Sequence, residues 1–344
     1  MTTIAPNGPR IAIIYYAGGS GGTTYERQIF QVLRDGSSIT EHSIVGSKTC
    51  YRFLQLPVAL RQLRRAVERT SSNWDLVINT LDASLVRGRA SGKSVVIVHH
   101  LDFSTNRYAR IYRPLQGYIL RCIRKADQVV AVSEFWKSYL QARGVERVDT
   151  IYNPFDVEQF QFKLDDISLF KRRMGLEGKP IVYLGARGAG KGVDEAHRCL
   201  AGLDVHFVAT GSAVDQLTGL NVQRLPVRDY QLLLKASSLA ITMSTFDEGW
   251  CRNTHEAMLC KTPVIGSGRG GMGELLSQGG QLICTDFGQL RTQVAQLLAD
   301  PQRREQMGER GYEFARQFTL DRFKNDWLRL IDGTLGRRML SIAM

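Results

Sequence analysis

The sequence contains no run of 18 or more apolar residues, although 43% of its 344 residues are hydrophobic. A helix that crosses a lipid bilayer needs roughly 20 consecutive, mostly apolar residues, so we expect no membrane-spanning helix. The first ten residues, MTTIAPNGPR, lack the basic-then-apolar order of a secretion signal. These two absences favour a cytoplasmic protein.

Metal-binding and redox motifs are also missing. The six cysteines are scattered, and none of them forms a C-x-x-C pair or has metal-ligand spacing with a histidine. We interpret them as reduced thiols. No D-x-D-type loop stands beside a glycine-rich segment, and we expect Asp165 and Asp166 to lie in a linker region, far from either glycine-rich loop. The sequence therefore predicts no metal ion and no resident cofactor.

Positive charge is concentrated in the first half of the chain. Residues 1–155 contain 21 Lys and Arg against 11 Asp and Glu, which gives +10 of the total net charge of +12. Such an excess favours an anionic partner, and we expect an anionic membrane surface or a lipid-diphosphate acceptor. Nucleic acid is not expected, because no segment matches a recognition helix or an aromatic RNA-binding strand.

Two basic segments in this half allow two interpretations each. Residues 51–70 have apolar residues at helical spacing and five arginines, and residues 106–126 are basic and aromatic. Both patterns fit surface helices with one solvated face. The first also fits a basic amphipathic helix on an anionic membrane, and the second fits a wall that faces an acceptor or lipid.

Buried strands are predicted on both sides of a central linker. Short apolar runs alternate with helical patterns, which is typical of parallel α/β sheets. The runs lie at residues 10–16, 74–79, 94–98, 127–133, 180–184, 205–210, 221–227, 239–243 and 262–265. Pro154 interrupts regular structure between the two sets, so we place a domain boundary near residue 155.

Residues 237–276 form a strand–loop–helix–strand–loop unit, with Glu248 in the first loop and Glu256 in the first turn of the helix. We expect Asn253 or Thr254 to cap this helix. A helix N-terminus presents unpaired N–H groups and a partial positive charge, which suit a diphosphate. The two carboxylates could then accept hydrogen bonds from sugar hydroxyls. Alternatively, Glu256 only complements the helix dipole and Glu248 is a solvated loop residue.

The motif EGWCRNTHEAM…KTPVIGS…GGMGE resembles the Glu-x7-Glu signature of retaining glycosyltransferases of family four. The common form of that signature is EGFGxxxxEAMAxGxPVIxx…GGxxE. Trp250 replaces a usual Phe, Cys251 and Lys261 replace usual glycines, and Gly273 replaces a usual Pro. The Cys251 side chain narrows a position where the backbone is expected to approach the donor closely.

The resemblance implies two doubly wound, parallel-sheet (Rossmann-like) α/β domains that face a cleft, the GT-B architecture. Residues 1–155 would bind the acceptor, residues 156–318 would bind the nucleotide-sugar donor, and residues 319–344 would form a helix that crosses back to the first domain. The implied activity is metal-independent transfer of a hexose, with retention, to a carbohydrate or lipid-linked acceptor in polysaccharide or glycolipid assembly. A nucleotide-sugar 2-epimerase and a catalytically silent, nucleotide-sugar-binding subunit remain alternatives.

Specific residues carry this resemblance. The family has a Gly-Gly in the loop after the first strand, which Gly21 and Gly22 match, and a histidine at the strand end that His99 matches. The usual next residue is Asp, whose place His100 takes, with Asp102 two positions further; either could assist. The resemblance assigns catalytic roles to His99, Glu248 and Lys191. It assigns donor binding to Gly21, Gly22, Arg187, Lys191, Trp250, Cys251, Arg252, Asn253, Thr254 and Glu256.

Overall fold

A computed structural model describes residues 8–17, 21–34, 38–45, 65, 74–81, 92–102, 104, 109–211 and 217–337. Contacts between Cα atoms divide the chain into two compact units. The first unit contains Met1–Leu101, Arg110–Pro154 and Leu320–Met344, and the second contains Asp102–Ala109 and Phe155–Thr319. The arginine-rich segment at residues 51–70 lies outside the described residues except for Arg65, so its two interpretations stay open.

The described part of the first unit contains a six-stranded parallel sheet with the order β2-β1-β3-β4-β5-β6. The strands are β1 (Arg10–Ala17), β2 (Ser38–Val45), β3 (Leu76–Thr80), β4 (Lys93–Val98), β5 (Gln128–Ala131) and β6 (Val148–Thr150). The helices are α1 (Gly21–Leu33), α2 (Ala109–Ile123), α3 (Glu134–Gln141) and, at the end of the chain, α11 (Leu320–Leu335). Aromatic residues of α11 pack on α1, where the rings of Tyr25 and Phe323 lie 5.1 Å apart.

The second unit has its own six-stranded parallel sheet, with the order β12-β11-β10-β7-β8-β9 within the described residues. Its strands are β7 (Ile181–Ala186), β8 (His206–Thr210), β9 (Leu220–Gln223), β10 (Leu239–Thr242), β11 (Val264–Gly266) and β12 (Leu282–Ile283). A 3-10 helix at Val157–Phe160 precedes the helices α4 (Leu164–Arg173), α5 (Val193–Leu200), α6 (Val227–Ala236), α7 (Arg252–Leu259), α8 (Gly271–Gln278), α9 (Phe287–Ala299) and α10 (Pro301–Ala315).

The strand order of the second sheet reverses between β7 and β10, which lie side by side. Loops that leave the carboxyl ends of such neighbours diverge and open a crevice, the usual ligand site of doubly wound sheets. The loop after β7 carries Arg187 and Lys191, and the loop after β10 carries Glu248. The two loops singled out by their sequence therefore leave the sheet at its switch point.

The predicted doubly wound, parallel α/β architecture is confirmed, although some element limits differ from expectation. Helix α7 begins at Arg252 with Cys251 as its N-cap, so the expected cap at Asn253 or Thr254 was wrong. Thr254 is instead inside the helix, where its hydroxyl bonds the hydroxyl of Thr242 at 2.9 Å. No helix in the described part of the chain combines the length and the apolar character that a membrane crossing requires.

Candidate active site

The loop after β7 places Lys191 directly before a glycine that the local packing requires. Gly192 caps α5 in the left-handed region, with φ of 69°. A Cβ atom there would lie 2.1 Å from the carbonyl oxygen of Met243, at the end of β10. Only glycine tolerates both the backbone conformation and this approach. The Lys-Gly pair thus lets the β7 loop lie against the β10 loop.

Glu248 lies in the β10 loop and is buried, with 7% of its surface exposed. Its Oε1 atom accepts hydrogen bonds from Lys191 Nζ at 2.6 Å and from Ser244 Oγ at 2.5 Å. Its backbone oxygen accepts from the Gly271 N–H at 2.9 Å, where α8 begins. The structure therefore brings together two of the residues that the sequence predicts to be catalytic, and it holds Glu248 from both its side chain and its backbone.

The charge on Lys191 is maintained by its surroundings. Burial opposes a charged ammonium group, but the neighbouring Glu248 carboxylate favours it and Cys251 adds to the effect, so the pKa of Lys191 is raised. The ammonium nitrogen also lies 4.9 Å from the centre of the Phe246 ring, within cation–π range. A fixed positive charge at this position is available to an anionic ligand.

Cys251 adopts a left-handed conformation at the N-cap of α7, with φ of 60° and ψ of 74°. Its Sγ atom is 3.1 Å from the hydroxyl of Thr254. Burial raises the pKa of Cys251 to about 11, to which the Glu248 carboxylate adds and against which Lys191 acts. The thiol therefore stays protonated at neutral pH, beside the two charged site residues. Its backbone conformation explains why glycine is usual at this position in the family that the motif resembles.

Glu256 lies in the second turn of α7 and not in the first, where we expect it from the sequence, because the helix begins earlier, at Arg252. It has two partners. Its Oε2 accepts from the Tyr230 hydroxyl at 2.9 Å, and its Oε1 lies 3.7 Å from an Arg252 guanidinium nitrogen. Burial raises the pKa of Glu256, while Arg252 and Tyr230 counteract this rise. Asn253 donates to the hydroxyl of Tyr183 at 3.4 Å. Glu256, which is predicted to bind the ribose, is thus a carboxylate held by Tyr230 and Arg252 in a largely buried polar cluster.

Arg187 is held in place by an acidic residue of α5, Asp194. Its guanidinium donates two hydrogen bonds to the Asp194 carboxylate, at 2.7 Å and 2.9 Å, and its side chain is only 10% exposed. Arg187 lowers the pKa of Asp194, mainly through these bonds. If Arg187 binds the donor as predicted, it does so with a guanidinium group that already pairs with the Asp194 carboxylate of α5.

Trp250 is buried and directs its side chain into the protein. Its indole N–H donates to His255 Nδ1 at 3.1 Å, and its ring packs on Phe318 at 5.4 Å. Thr254 is also fully buried. The side chains of these two predicted donor-binding residues are therefore used inside the protein, and the N–H of Thr254 donates to the Cys251 carbonyl at 3.1 Å.

His99 and the Gly21-Gly22 pair belong to the first unit. The two glycines are the first residues of α1. His99 follows β4, and its Nε2 lies 2.7 Å from Oε1 of Glu26 in α1. Asp102, which belongs to the second unit, accepts the Asp247 N–H at 2.7 Å and the Ser104 N–H at 2.7 Å. Asp102 thus supports the residue next to Glu248.

Several partners of the predicted site residues are not predicted from the sequence, among them Glu26, Ser244 and Tyr230. A signal existed for Glu26, because it shares one face of α1 with the buried residues Ile29 and Leu33, and an acid on an apolar face usually has a partner. Ser244 and Tyr230 carry no comparable signal. Among the described residues, no group of three or more His, Cys, Asp or Glu side chains is arranged to hold a metal ion.

Two family models match the chain. Residues 7–159 match the model described as Glycosyltransferase Family 4, and residues 221–314 match the model described as Glycosyl transferases group 1. The trehalose synthase of Rubrobacter xylanophilus is 24% identical over 314 residues, which cover 80% of this chain and 73% of that protein. These matches support a glycosyltransferase.

Solved structures of similar fold cover nearly the whole chain. Sucrose-phosphate synthase from Thermosynechococcus elongatus has a TM-score of 0.80 at 17% identity, covering 95% of this chain and 99% of that chain. Anabaena HepE in complex with UDP-glucose has a TM-score of 0.78 at 18% identity, covering 94% of this chain and 100% of that chain. At such low identity the likeness shows the fold, and it confirms the predicted GT-B fold.

Proposed function

We propose that this chain is a retaining, metal-independent enzyme that transfers a hexose from a nucleotide-diphosphate sugar. The family models and the fold of the structural neighbours support a GT-B glycosyltransferase. The observation that carries the proposal is the assembly of Lys191, Glu248 and the start of α7 beyond β7 and β10. Anabaena HepE, which has the same fold, was solved with UDP-glucose, so a uridine diphosphate sugar is the first donor to test.

The chemical problem is departure of the nucleoside diphosphate. Negative charge grows on the diphosphate in the transition state, and donors already fixed in place stabilise that charge selectively. We assign this role to Lys191 and to backbone amides around the start of α7, because the first turn of a helix presents N–H groups and a partial positive charge to an anion. Arg187 is a second cation close in sequence, already paired with Asp194.

The two glutamates would hold the sugars at either end of the donor. Glu256 would accept a hydrogen bond from a ribose hydroxyl, and Glu248 would accept hydrogen bonds from hydroxyls of the transferred sugar. Because Glu248 bonds Lys191 at 2.6 Å, diphosphate binding would exchange this partner, with Lys191 turning to phosphate and Glu248 to a hydroxyl. His99 is proposed to contact the donor sugar, and Gly21 and Gly22 to let the backbone approach it.

Replacing Lys191 tests the assignment most directly. We expect Lys191→Ala to lower turnover by roughly 10²- to 10³-fold, the loss seen when one preorganised electrostatic donor is removed. Lys179→Ala is the matched control, since Lys179 is also in the second unit but pairs with Asp204 at 2.6 Å. The control should keep normal turnover. A Lys191→Ala enzyme with near-normal turnover would remove the assignment.

Donor identity can be found without knowing the acceptor. Thermal-shift measurements with UDP, GDP and ADP sugars should show one stabilising series, since a ligand at 100 times its Kd adds about 2.7 kcal/mol to the free energy of unfolding.

Product analysis then separates the alternatives. A 2-epimerase would release a changed donor without acceptor, and a silent subunit, which the Cys251 side chain favours, would bind without turnover. Loss of activity on treatment with EDTA would contradict the metal-independent mechanism.

We further propose that the enzyme acts at an anionic membrane surface, on the cytoplasmic face, in polysaccharide or glycolipid assembly. Three exposed residues at helical spacing support this surface: Tyr118, Arg121 and Lys125, at and just after the end of α2. Tyr118 is 50% exposed, which is unusual for so large a ring. Aromatic and basic side chains in one stripe suit the interface between lipid head groups and water.

A further inference from the structure

Glu26 is a buried acid on a helix face that is otherwise apolar. It is 2% exposed, and its neighbours on that face of α1, Ile29 and Leu33, are buried too. Removing a carboxylate from water costs several kcal/mol unless it is paired and hydrogen-bonded. An apolar residue would fill the same place without this cost. The acid must therefore do something there that an apolar side chain cannot.

The partner of the Glu26 carboxylate is the ring of His99. Oε1 of Glu26 lies 2.7 Å from Nε2 of His99, a short, well-formed hydrogen bond. The Tyr25 ring meets the imidazole edge-on, with centroids 5.3 Å apart and planes at 89°. Tyr25 is itself anchored, because its hydroxyl donates to the Ile151 carbonyl at 2.8 Å. Two consecutive residues of α1 therefore fix where the His99 ring lies and how it is turned.

We propose that Glu26 is a positioning residue for His99. Its carboxylate accepts a hydrogen bond from the N–H at Nε2 of His99, which fixes the tautomer and leaves the lone pair on Nδ1 to accept a hydrogen bond from a sugar hydroxyl of the substrate. An ionised carboxylate can only accept hydrogen bonds, so the proton has to be on the ring nitrogen that faces it. The proposal rests on the proposed function in one respect, namely that His99 contacts the donor sugar.

This assignment also separates Glu26 from the other acid near His99 in sequence. Asp102 uses both of its carboxylate oxygens for backbone amides, those of Ser104 and Asp247. The carboxylate that bonds His99 comes instead from a helix 73 residues earlier in the chain. The orienting acid and the histidine are therefore joined by the fold rather than by a local motif.

The test reads the protonation pattern of the ring directly. Long-range 1H–15N correlation on protein with 15N-labelled histidine distinguishes protonated from unprotonated ring nitrogens, and a His99→Gln variant identifies the His99 signals. We expect wild-type His99 to carry a proton on Nε2. Glu26→Leu should move the proton toward Nδ1, whereas Glu26→Gln, whose carbonyl oxygen can still accept, should keep it on Nε2. Ile29→Val, a loss of packing one turn along α1, should change nothing at the ring.

Turnover of UDP-glucose supplies the second measurement. Glu26→Leu should reduce it by about 10- to 100-fold, the range seen when the partner that orients a functional imidazole is lost at metal sites. Glu26→Gln should lose less. Because Glu26 acts through His99, adding Glu26→Leu to His99→Gln should cause no further loss.

Opposite results would overturn the proposal. These are a wild-type ring protonated on Nδ1 alone, a ring pattern unchanged in Glu26→Leu, or a double variant that loses the sum of both single effects. Failure of the proposed function looks different. Wild-type protein that turns over no nucleotide sugar, or a His99→Gln variant with normal turnover, would reject the role of His99, while the ring spectra would still decide whether Glu26 controls it.

Discussion

His255 is held neutral by its neighbours beside the start of α7. Its Nδ1 accepts the Trp250 indole N–H at 3.1 Å, its Nε2 donates to the Ala315 carbonyl at 3.1 Å, and its ring stacks on Phe155 at 3.9 Å. Burial lowers the pKa of His255 to about 3; the Ala315 carbonyl opposes this shift and Arg252 adds to it. The residue between Thr254 and Glu256 therefore orders the donor-binding helix without taking up charge.

This burial makes stability depend on pH in a defined window. The unfolded chain binds a proton at His255 below pH 6.5, its ordinary pKa, whereas the folded protein does not do so until about pH 3. The contribution of neutral His255 to the free energy of unfolding is complete above pH 6.5. It is lost as the pH falls toward 3, at about 1.4 kcal/mol per pH unit. Relative to His255→Gln, wild-type protein should lose about 2 kcal/mol between pH 6.5 and pH 5 in urea denaturation. The difference in the free energy of unfolding between the two proteins at pH 8 is the control. If that free energy changed equally with pH in both proteins, the prediction would be contradicted.

Single-residue contacts show where inference from the sequence ends. The loops of Lys191 and Glu248 are predicted because each lies within a spaced motif, and the structure joins the two residues over 57 positions of sequence. Glu26 and Tyr230 have no such motif around them. Their bonds to His99 and Glu256 exist because the packing of α1 and α6 brings distant residues together, which local periodicity does not report.

At the scale of elements, helix α7 ends as it begins, with a left-handed residue that is not glycine. Lys261 has φ of 58°, and among the described residues only Cys251 and Lys261 combine a side chain with positive φ. The N–H of Lys261 bonds the Met258 carbonyl at 2.9 Å, and that of Thr262 bonds the Ala257 carbonyl at 2.9 Å. This is a Schellman ending, whose left-handed position favours glycine. Both positions at which a side chain replaces a usual glycine of the signature therefore fall where the backbone carries strain.

Relief of this strain is measurable at Lys261. We expect Lys261→Gly to be more stable than Lys261→Ala by about 1 kcal/mol, because both lose the side chain but only glycine adopts the left-handed conformation freely. The alanine variant controls for the exposed ion pair with Glu309, at 2.8 Å. Urea denaturation of both variants gives the difference. Equal stabilities would mean that the backbone at this position is not strained.

The elements that the sequence predicts best are the long, apolar, central ones. Strands β1, β3, β4, β7, β8 and β10 were placed within about two residues, because buried parallel strands are continuous apolar runs. The sequence does not predict strands β2, β6 and β12, since β2 mixes polar and apolar residues, β6 has three residues and β12 has two. All three lie at sheet edges, where packing on one side is enough and the sequence is less constrained.

At the scale of the whole molecule, net charge is the property that the catalytic proposal leaves unexplained. The excess of +10 within residues 1–155 is far larger than the donor site needs, since that site uses cations of the second unit. Attraction to an anionic surface would use such an excess, and it would weaken as salt screens charges beyond about 8 Å at physiological ionic strength.

Vesicle sedimentation tests this use of the charge. We expect binding to vesicles with anionic lipid, little binding to neutral vesicles, and a decline as salt rises. Replacing Arg121 and Lys125 by Glu should weaken binding by about 30-fold or more, because each basic residue near an anionic membrane contributes about 1 kcal/mol and two of them are lost. Replacing Arg303 and Arg310, exposed residues of α10 in the second unit, by Glu changes the net charge equally and is the matched control. If both pairs weaken binding equally, attraction depends on total charge and not on this surface. Equal binding of wild-type protein to anionic and neutral vesicles would reject an electrostatic membrane partner.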